Sequence, residues 1–242
     1  MSYVTYFETA KKIIDLSNGL IFSAQKGMFN KLSEQNAVGK LKDFINNEIF
    51  IYSKMSNYYS ILIYGILNPF IFYFTFLWFK SLDSSIILVM LFIPYSLISF
   101  GGCLYSILMV EGKGIKLLII QLSNIILIFS MLYLSLLLTK TYTGLAGYYI
   151  AILLSTVIIF IILIKYYDFN LKSFFSKVKM NKLILLNIIL IIEVALIFIY
   201  KDHFQYVLVG FFILSCFLFY DSLFYFYKLV FDKLKLFIQR KS

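Results

Sequence analysis

Uncharged apolar runs, each about as long as a bilayer core is thick, follow one another along most of this chain. Residues 57–79, 84–110, 117–139 and 141–164 contain no charged residue. Residues 183–200 carry one, Glu193, and residues 204–227 carry one, Asp221. A hydrocarbon core of about 30 Å is crossed by roughly 20 helical residues, and inside it backbone N–H and C=O groups must be satisfied without water. The runs therefore predict α-helical spans. A transmembrane β-barrel would need segments of about ten residues alternating apolar and polar; residues 184–192, apolar except for Asn187, do not alternate. With 62% of 242 residues hydrophobic and 14% charged, the chain lacks the charges to coat a soluble domain of its size. The expected fold is an all-α integral membrane bundle, one transmembrane domain over residues 1–242. Its about seven spans are expected at 4–30, 57–79, 84–110, 117–139, 143–165, 183–200 and 204–227.

The first of these spans is the weakest. Glu8, Lys12, Asp15, Gly19 and Lys26 recur at helical spacing and share one face, with Ile14, Leu16, Leu20, Ile21 and Ala24 largely elsewhere. Glu8 with Lys12, and Lys11 with Asp15, stand four residues apart and can pair. Two readings follow: a helix lying flat on the membrane surface, or a span whose polar face lines a hydrated cavity.

The net charge of +10 points to topology and anionic lipid, not to nucleic acid, because the basic residues cluster between the spans. Sixteen lie on one side of the expected membrane: Lys31, Lys40, Lys42, Lys54, Lys113, Lys116, Lys165, Lys172, Lys177, Lys179, Lys182, Lys228, Lys233, Lys235, Arg240 and Lys241. The other side has three, Lys80, Lys140 and Lys201. By the positive-inside rule the C-terminus is cytoplasmic, and a spanning first helix would begin outside. Residues 1–10 have no basic stretch followed by an apolar run, so a cleaved signal peptide is not expected.

Residues 3–33 (YVTYFETAKKIIDLSNGLIFSAQKGMFNKLS), with Tyr6, Ala10-Lys11-Lys12-Ile13 and Asn30-Lys31-Leu32-Ser33, resemble the eighth helix of polysaccharide flippases. The proline that usually closes that helix is absent. Residues 111–116 (EGKGIK) with Gln121-Leu-Ser-Asn124 resemble the loop and eleventh helix of the same family. Residues 142–155 (YTGLAGYYIAILLS) resemble its Gly-x-x-Gly-Ala element. The chain thus resembles the O-antigen and polysaccharide-unit flippases of the multidrug/oligosaccharidyl-lipid/polysaccharide superfamily over residues 3 to about 168. Residues beyond match only in position and apolarity. The resemblance implies helices eight to fourteen of a fourteen-helix design, with a first lobe and a seventh helix lying upstream. It also implies translocation of a polyprenyl-pyrophosphate-linked oligosaccharide across the cytoplasmic inner membrane, for O-antigen, lipopolysaccharide or related polysaccharide biosynthesis. Other polysaccharide-assembly membrane proteins would be its partners.

The candidate substrate-binding residues are Lys11, Lys12, Asp15 and Asn124. The resemblance implies a cationic cavity for the pyrophosphate, and an ammonium group is a point charge that can follow a moving phosphate. Otherwise the two lysines pair with Glu8 and Asp15 and reach outward along the helix. Asn124, with Gln121 and Ser123, suits either sugar hydroxyls or interhelical bonding. Glu193 is the candidate coupling carboxylate. Midway through a span, an isolated charge costs about 2.5–3.5 kcal/mol, so the alternative is a protonated carboxyl bonded to a neighbour such as Asn187 in a peripheral helix. Asp221 is expected at the interface near the basic tail. Pro69 and Pro94, both within spans, each remove a helical hydrogen bond and invite a kink. His203 falls in a short loop. Cys103 and Cys216 lie within spans and lack metal-ligand spacing.

No carboxylate pair, Ser/His/Asp set, Cys/His cluster or phosphate-binding glycine loop stands out, so no catalytic residue, metal or cofactor is assigned and the chain is not read as an enzyme. Two alternatives are an O-antigen polymerase or other integral glycosyltransferase, for which the outer loops are short, and a non-transporting membrane subunit.

Overall fold

A computed structural model describes residues 3–23, 26–139, 146–167 and 170–239, and among these the regular structure is helical, with no strand. The helices are α1 (Tyr3–Ser23), α2 (Lys26–Ala37), α3 (Leu41–Asn47), α4 (Ile49–Ser60), α5 (Asn68–Phe79), α6 (Leu82–Val110), α7 (Gly114–Thr139), α8 (Ala146–Tyr167), α9 (Leu171–Val178), α10 (Met180–Ile199), α11 (Phe204–Leu218) and α12 (Tyr220–Gln239). A π-helical segment, Ile61–Ile66, continues α4 toward α5, and a 3₁₀ turn, Lys201–His203, precedes α11.

Helix α6 is the axis. Its 29 residues reach about 44 Å at 1.5 Å per residue, and α1, α2, α4, α5, α8 and α10 all pack on it. Around it lie the buried Ile14 and Ile21 of α1, Met28 and Leu32 of α2, Tyr64 of the π segment, Phe72 of α5 and Leu186 of α10. Pro94 lies inside α6 without ending it. Pro69 instead occupies the first turn of α5, directly after a break at Leu67, where its missing N–H is least costly.

Three contacts trace α1 and α2 along this axis. The Tyr6 ring stands 5.8 Å from that of Phe79, beside the Leu82 end of α6. Farther on, Asn18 meets Tyr64, and finally Asn36 Nδ2 donates to the carbonyl of Val110 at the opposite end of α6. The pair α1–α2 thus runs beside the full length of α6.

The exterior is apolar. Leu118, Ile126, Phe129 and Leu137 on α7, and Val209, Ile213 and Phe217 on α11, are all more than half exposed. Soluble monomers rarely show such continuous apolar faces; the protein is a helical membrane protein. Among the described residues, Gly114–Met131 and Met180–Ile199 are long and apolar enough to cross a bilayer. The number rises to four if each of two bent pairs is one span: Ile49–Ile66 with Asn68–Phe79, bent by 49°, and Lys201–Leu218 with Tyr220–Lys228, bent by 69°. The straight span expected over residues 204–227 is therefore interrupted, because α11 ends at Leu218 and buried Phe219 turns the chain.

Candidate functional site

A polar stripe runs along the inside of the broken column formed by α4, the π segment and α5. Ser53, the adjacent Ser56 and Asn57, Ser60, Tyr64 and Asn68 follow one another at three- or four-residue steps, and all are buried. This spacing places them on one helical face, which packs inward against α1, α6, α9 and α10.

Three partnerships link the stripe to the rest of the bundle. Asn57 Nδ2 donates to the carbonyls of Val178 and Lys179, at 2.9 and 3.3 Å. It thereby caps the turn where Lys179, in the left-handed region at φ 59°, joins α9 to α10. Midway along, Tyr64 Oη donates to Asn18 Oδ1 at 2.8 Å and ties the column to α1. At the break, Asn68 Nδ2 donates to Glu193 Oε2 at 2.6 Å. Glu193 is 1% exposed and Asn68 is fully buried. The second oxygens of this pair, Glu193 Oε1 and Asn68 Oδ1, have no hydrogen-bond partner.

Glu193 is not bonded to Asn187, the neighbour considered from the sequence. Six residues separate them, about 240° around a helix, so they point to different sides. Asn187 instead meets Ser96 Oγ of α6 at 3.2 Å and donates to the Leu183 carbonyl at 2.7 Å. Nor is α10 peripheral: it packs on α6, α9, α11 and the π segment.

The other sequence candidates lie elsewhere. On α1 the buried face is Ala10, Ile14, Ser17, Asn18 and Ile21, whereas Glu8, Lys11, Lys12, Asp15 and Gly19 are exposed. The charged residues therefore point away from the bundle, but Leu16 and Leu20, expected largely elsewhere, share that outward side at 76% and 63% exposure, so it is mixed and not purely polar. Among the described residues neither Glu8 with Lys12 nor Lys11 with Asp15 closes as an ion pair. Asn124 is half-buried on α7, with Gln121 exposed one turn earlier. The lysines, Asn124 and Glu193 do not form one cluster. Residues 142–145 of the glycine-rich element and the Cys103 side chain lie outside what is described, while Cys216 is a half-buried thiol and His203 is exposed beside Tyr206.

Beyond the ends of α10 and α11, Asp221 accepts hydrogen bonds from Lys182 at 2.6 Å and from Lys179 at 3.1 Å. The bond to Asp221 raises the Lys179 ammonium above its usual value. Asp221 thus sits where α12 begins and pins α12 to the start of α10. Beside it, a cavity of about 540 Å³ is lined by Phe175, Ser176, Lys179, Met180, Asn181, Lys182 and Ile184.

Asn18, Tyr64 and Asn68 escaped the sequence reading. Their signal was available: polar residues recurring at helical spacing from Ser53 to Asn68, ending beside Pro69. Compared with known proteins, the chain matches no family model, no curated protein and no solved structure.

Proposed function

We propose that this chain is one lobe of a flippase, moving the polar head of a polyprenyl-pyrophosphate-linked oligosaccharide across the cytoplasmic membrane while the lipid tail stays in the bilayer. The observation that carries this reading is α1. Packed on α6, this helix turns Glu8, Lys11, Lys12 and Asp15 away from its own bundle. Such charges cost about 2.5–3.5 kcal/mol each against lipid at a helix centre, so water beside them is favoured. A second lobe opposite α1 supplies the other wall of a hydrated cavity, and the lysines attract the pyrophosphate as it passes. The seven spans of this lobe are α1 with the start of α2, the α4–α5 column, α6, α7, α8, α10 and the bent pair of α11 with the start of α12. The sixteen-to-three lysine and arginine asymmetry supports a cytoplasmic C-terminus.

The test uses protein purified from its native membrane with whatever accompanies it, reconstituted into vesicles containing a polyprenyl-pyrophosphate oligosaccharide. A lectin added outside reaches about half the head groups when nothing moves, and nearly all when they cross. Crossing is expected with the native sequence and should slow at least tenfold in the Lys11→Glu, Lys12→Glu double variant. Crossing no faster than in protein-free vesicles, or equally fast in the variant, would overturn the reading.

A further inference from the structure

The corner where α9 turns into α10 carries more positive charge than the bundle neutralises. Here, in a lysine-rich stretch of the chain, lies the cavity of about 540 Å³ beside Asp221. Its volume falls within the roughly 300–1,000 Å³ of small-molecule sites. Lys179 and Lys182 stand in its wall with the exposed polar side chains of Ser176 and Asn181, and none of its lining residues is acidic. Asp221 binds both ammonium groups, but it sets one negative charge against two positive ones. A third cation is close: Lys54 of α4 shares the Tyr58 ring with Lys179, at 5.8 and 6.0 Å from the ring centre. An ammonium has three N–H donors, and Asp221 takes one from each lysine. Both can therefore hold a further anion without releasing Asp221.

The rest of the wall is apolar, and it continues beyond the cavity. Phe175, Met180 and Ile184 complete the lining. From Ile184, Ile188 and Ile191 follow at helical spacing, each about half exposed. They form an apolar track along α10, a helix long and apolar enough to cross a bilayer. A soluble phosphate would use only the polar part of this surface. A phospholipid uses both, with its head group in the cavity and an acyl chain on the track. The head must be anionic, because a zwitterionic one brings its own ammonium beside Lys179 and Lys182. Basic pockets between helices at the membrane surface take anionic head groups, and a lysine ammonium suits phosphate as a point charge.

We propose that the α9–α10 corner binds one anionic phospholipid, its phosphate held by Lys179, Lys182, Asn181 and Ser176, and an acyl chain lying over Ile184, Ile188 and Ile191. The bound lipid stiffens the junction at which α12 is pinned to α10. The site makes no use of the oligosaccharide reading above: vesicles could fail to move lipid-linked sugar while the phospholipid still binds.

The experiment counts lipids retained by the full-length chain, purified and delipidated in a nonionic detergent, by native mass spectrometry. Dioleoyl phosphatidylglycerol, dioleoyl phosphatidylcholine with the same tails, and glycerol phosphate with no tail are titrated in turn. About one phosphatidylglycerol per chain is expected, held on the order of tenfold more tightly than phosphatidylcholine, with glycerol phosphate weaker than the anionic lipid. The test variant is Ser176→Asp with Asn181→Asp, two exposed positions that leave the bonds of Lys179 and Lys182 to Asp221 in place. It should weaken phosphatidylglycerol on the order of tenfold, and Asn181→Asp alone decides the matter if the pair does not fold. Ser33→Asp with Asn47→Asp, exposed in another lysine-bearing stretch, adds the same charge elsewhere and should bind as the native chain does. Equal retention of the two lipids, or equal retention of phosphatidylglycerol by the native and test chains, would overturn the proposal. An equal loss in the Ser33 and Asn47 control would reduce the site to diffuse attraction and overturn it too. Glycerol phosphate held as tightly as the lipid would mean a soluble phosphate ligand, and the phospholipid site would be wrong.

Discussion

Asn57 illustrates how much a single polar side chain can settle in an apolar bundle. Its amide reaches over 120 positions along the chain to the carbonyls of Val178 and Lys179, the second of which also accepts the Lys182 amide. Removing it strands the buried Val178 carbonyl, at a cost of about 1–3 kcal/mol. Asn57→Ala is therefore expected to lower stability by that amount in a detergent unfolding titration, and a loss below about 0.5 kcal/mol would count against the capping role. Residues of this kind were only half legible in the sequence. Glu193 drew notice because a lone charge in an apolar run is conspicuous, but its partner Asn68 lies 125 positions away. No local pattern connects two side chains brought together by packing. Lys11 and Lys12 were legible as a charged helical face, and the structure adds which way that face turns.

At the scale of elements, Pro69 marked a break and Pro94 did not, although both sit in equally apolar runs. The difference is positional. Pro69 follows a segment already unwound into π geometry, whereas Pro94 is embedded in a helix packed on many sides. The π turn also lets two helices come close at Gly65. A Cβ built there would lie 2.8 Å from Leu186 Cδ1 and 3.7 Å from the Phe219 ring. Leu186 can swing its tip aside for one methyl group but not for a branched side chain. Stability should thus fall in the order Gly65, Gly65→Ala, Gly65→Val, with the valine variant about 1–3 kcal/mol below the native chain. A valine variant unfolding at the native temperature would show that the approach is not tight. The same packing explains a break that sequence reading missed. Nothing local interrupts residues 204–227, yet the chain turns by 69° after Leu218. Phe219 is fully buried against the Gly65 region, and Asp221 is tied to Lys179 and Lys182. Both anchors are remote in sequence.

For the whole molecule, the apolar runs made the all-helical membrane class readable directly, because lipid demands long uninterrupted segments and the chain supplies them. Topology rests instead on the first segment, whose mixture of charged and apolar residues suits a surface helix and a cavity-lining span equally well. The contacts of Tyr6 with Phe79 and of Asn36 with Val110 favour the span, since they lie at opposite ends of α6. Exposed Trp78, Tyr200 and Tyr206, near the ends of α5, α10 and α11 on the Phe79 side, agree with an interfacial aromatic belt there. Cysteines placed singly at Ser2 and Ser33, in a chain with Cys103 and Cys216 replaced by serine, separate the two arrangements. With a membrane-impermeant thiol reagent on intact cells, position 2 should label and position 33 should not. Reporters fused at Asp202 and after Ser242 should read outside and cytoplasm respectively. Protection of both cysteines until the cells are permeabilised would lay α1 on the cytoplasmic surface. Lys11 and Lys12 would then face headgroups instead of a cavity, and the flippase reading would lose its main support. Labelling at position 33 alone, with both reporters inverted, would reverse the whole bundle and leave the lysine asymmetry without an explanation.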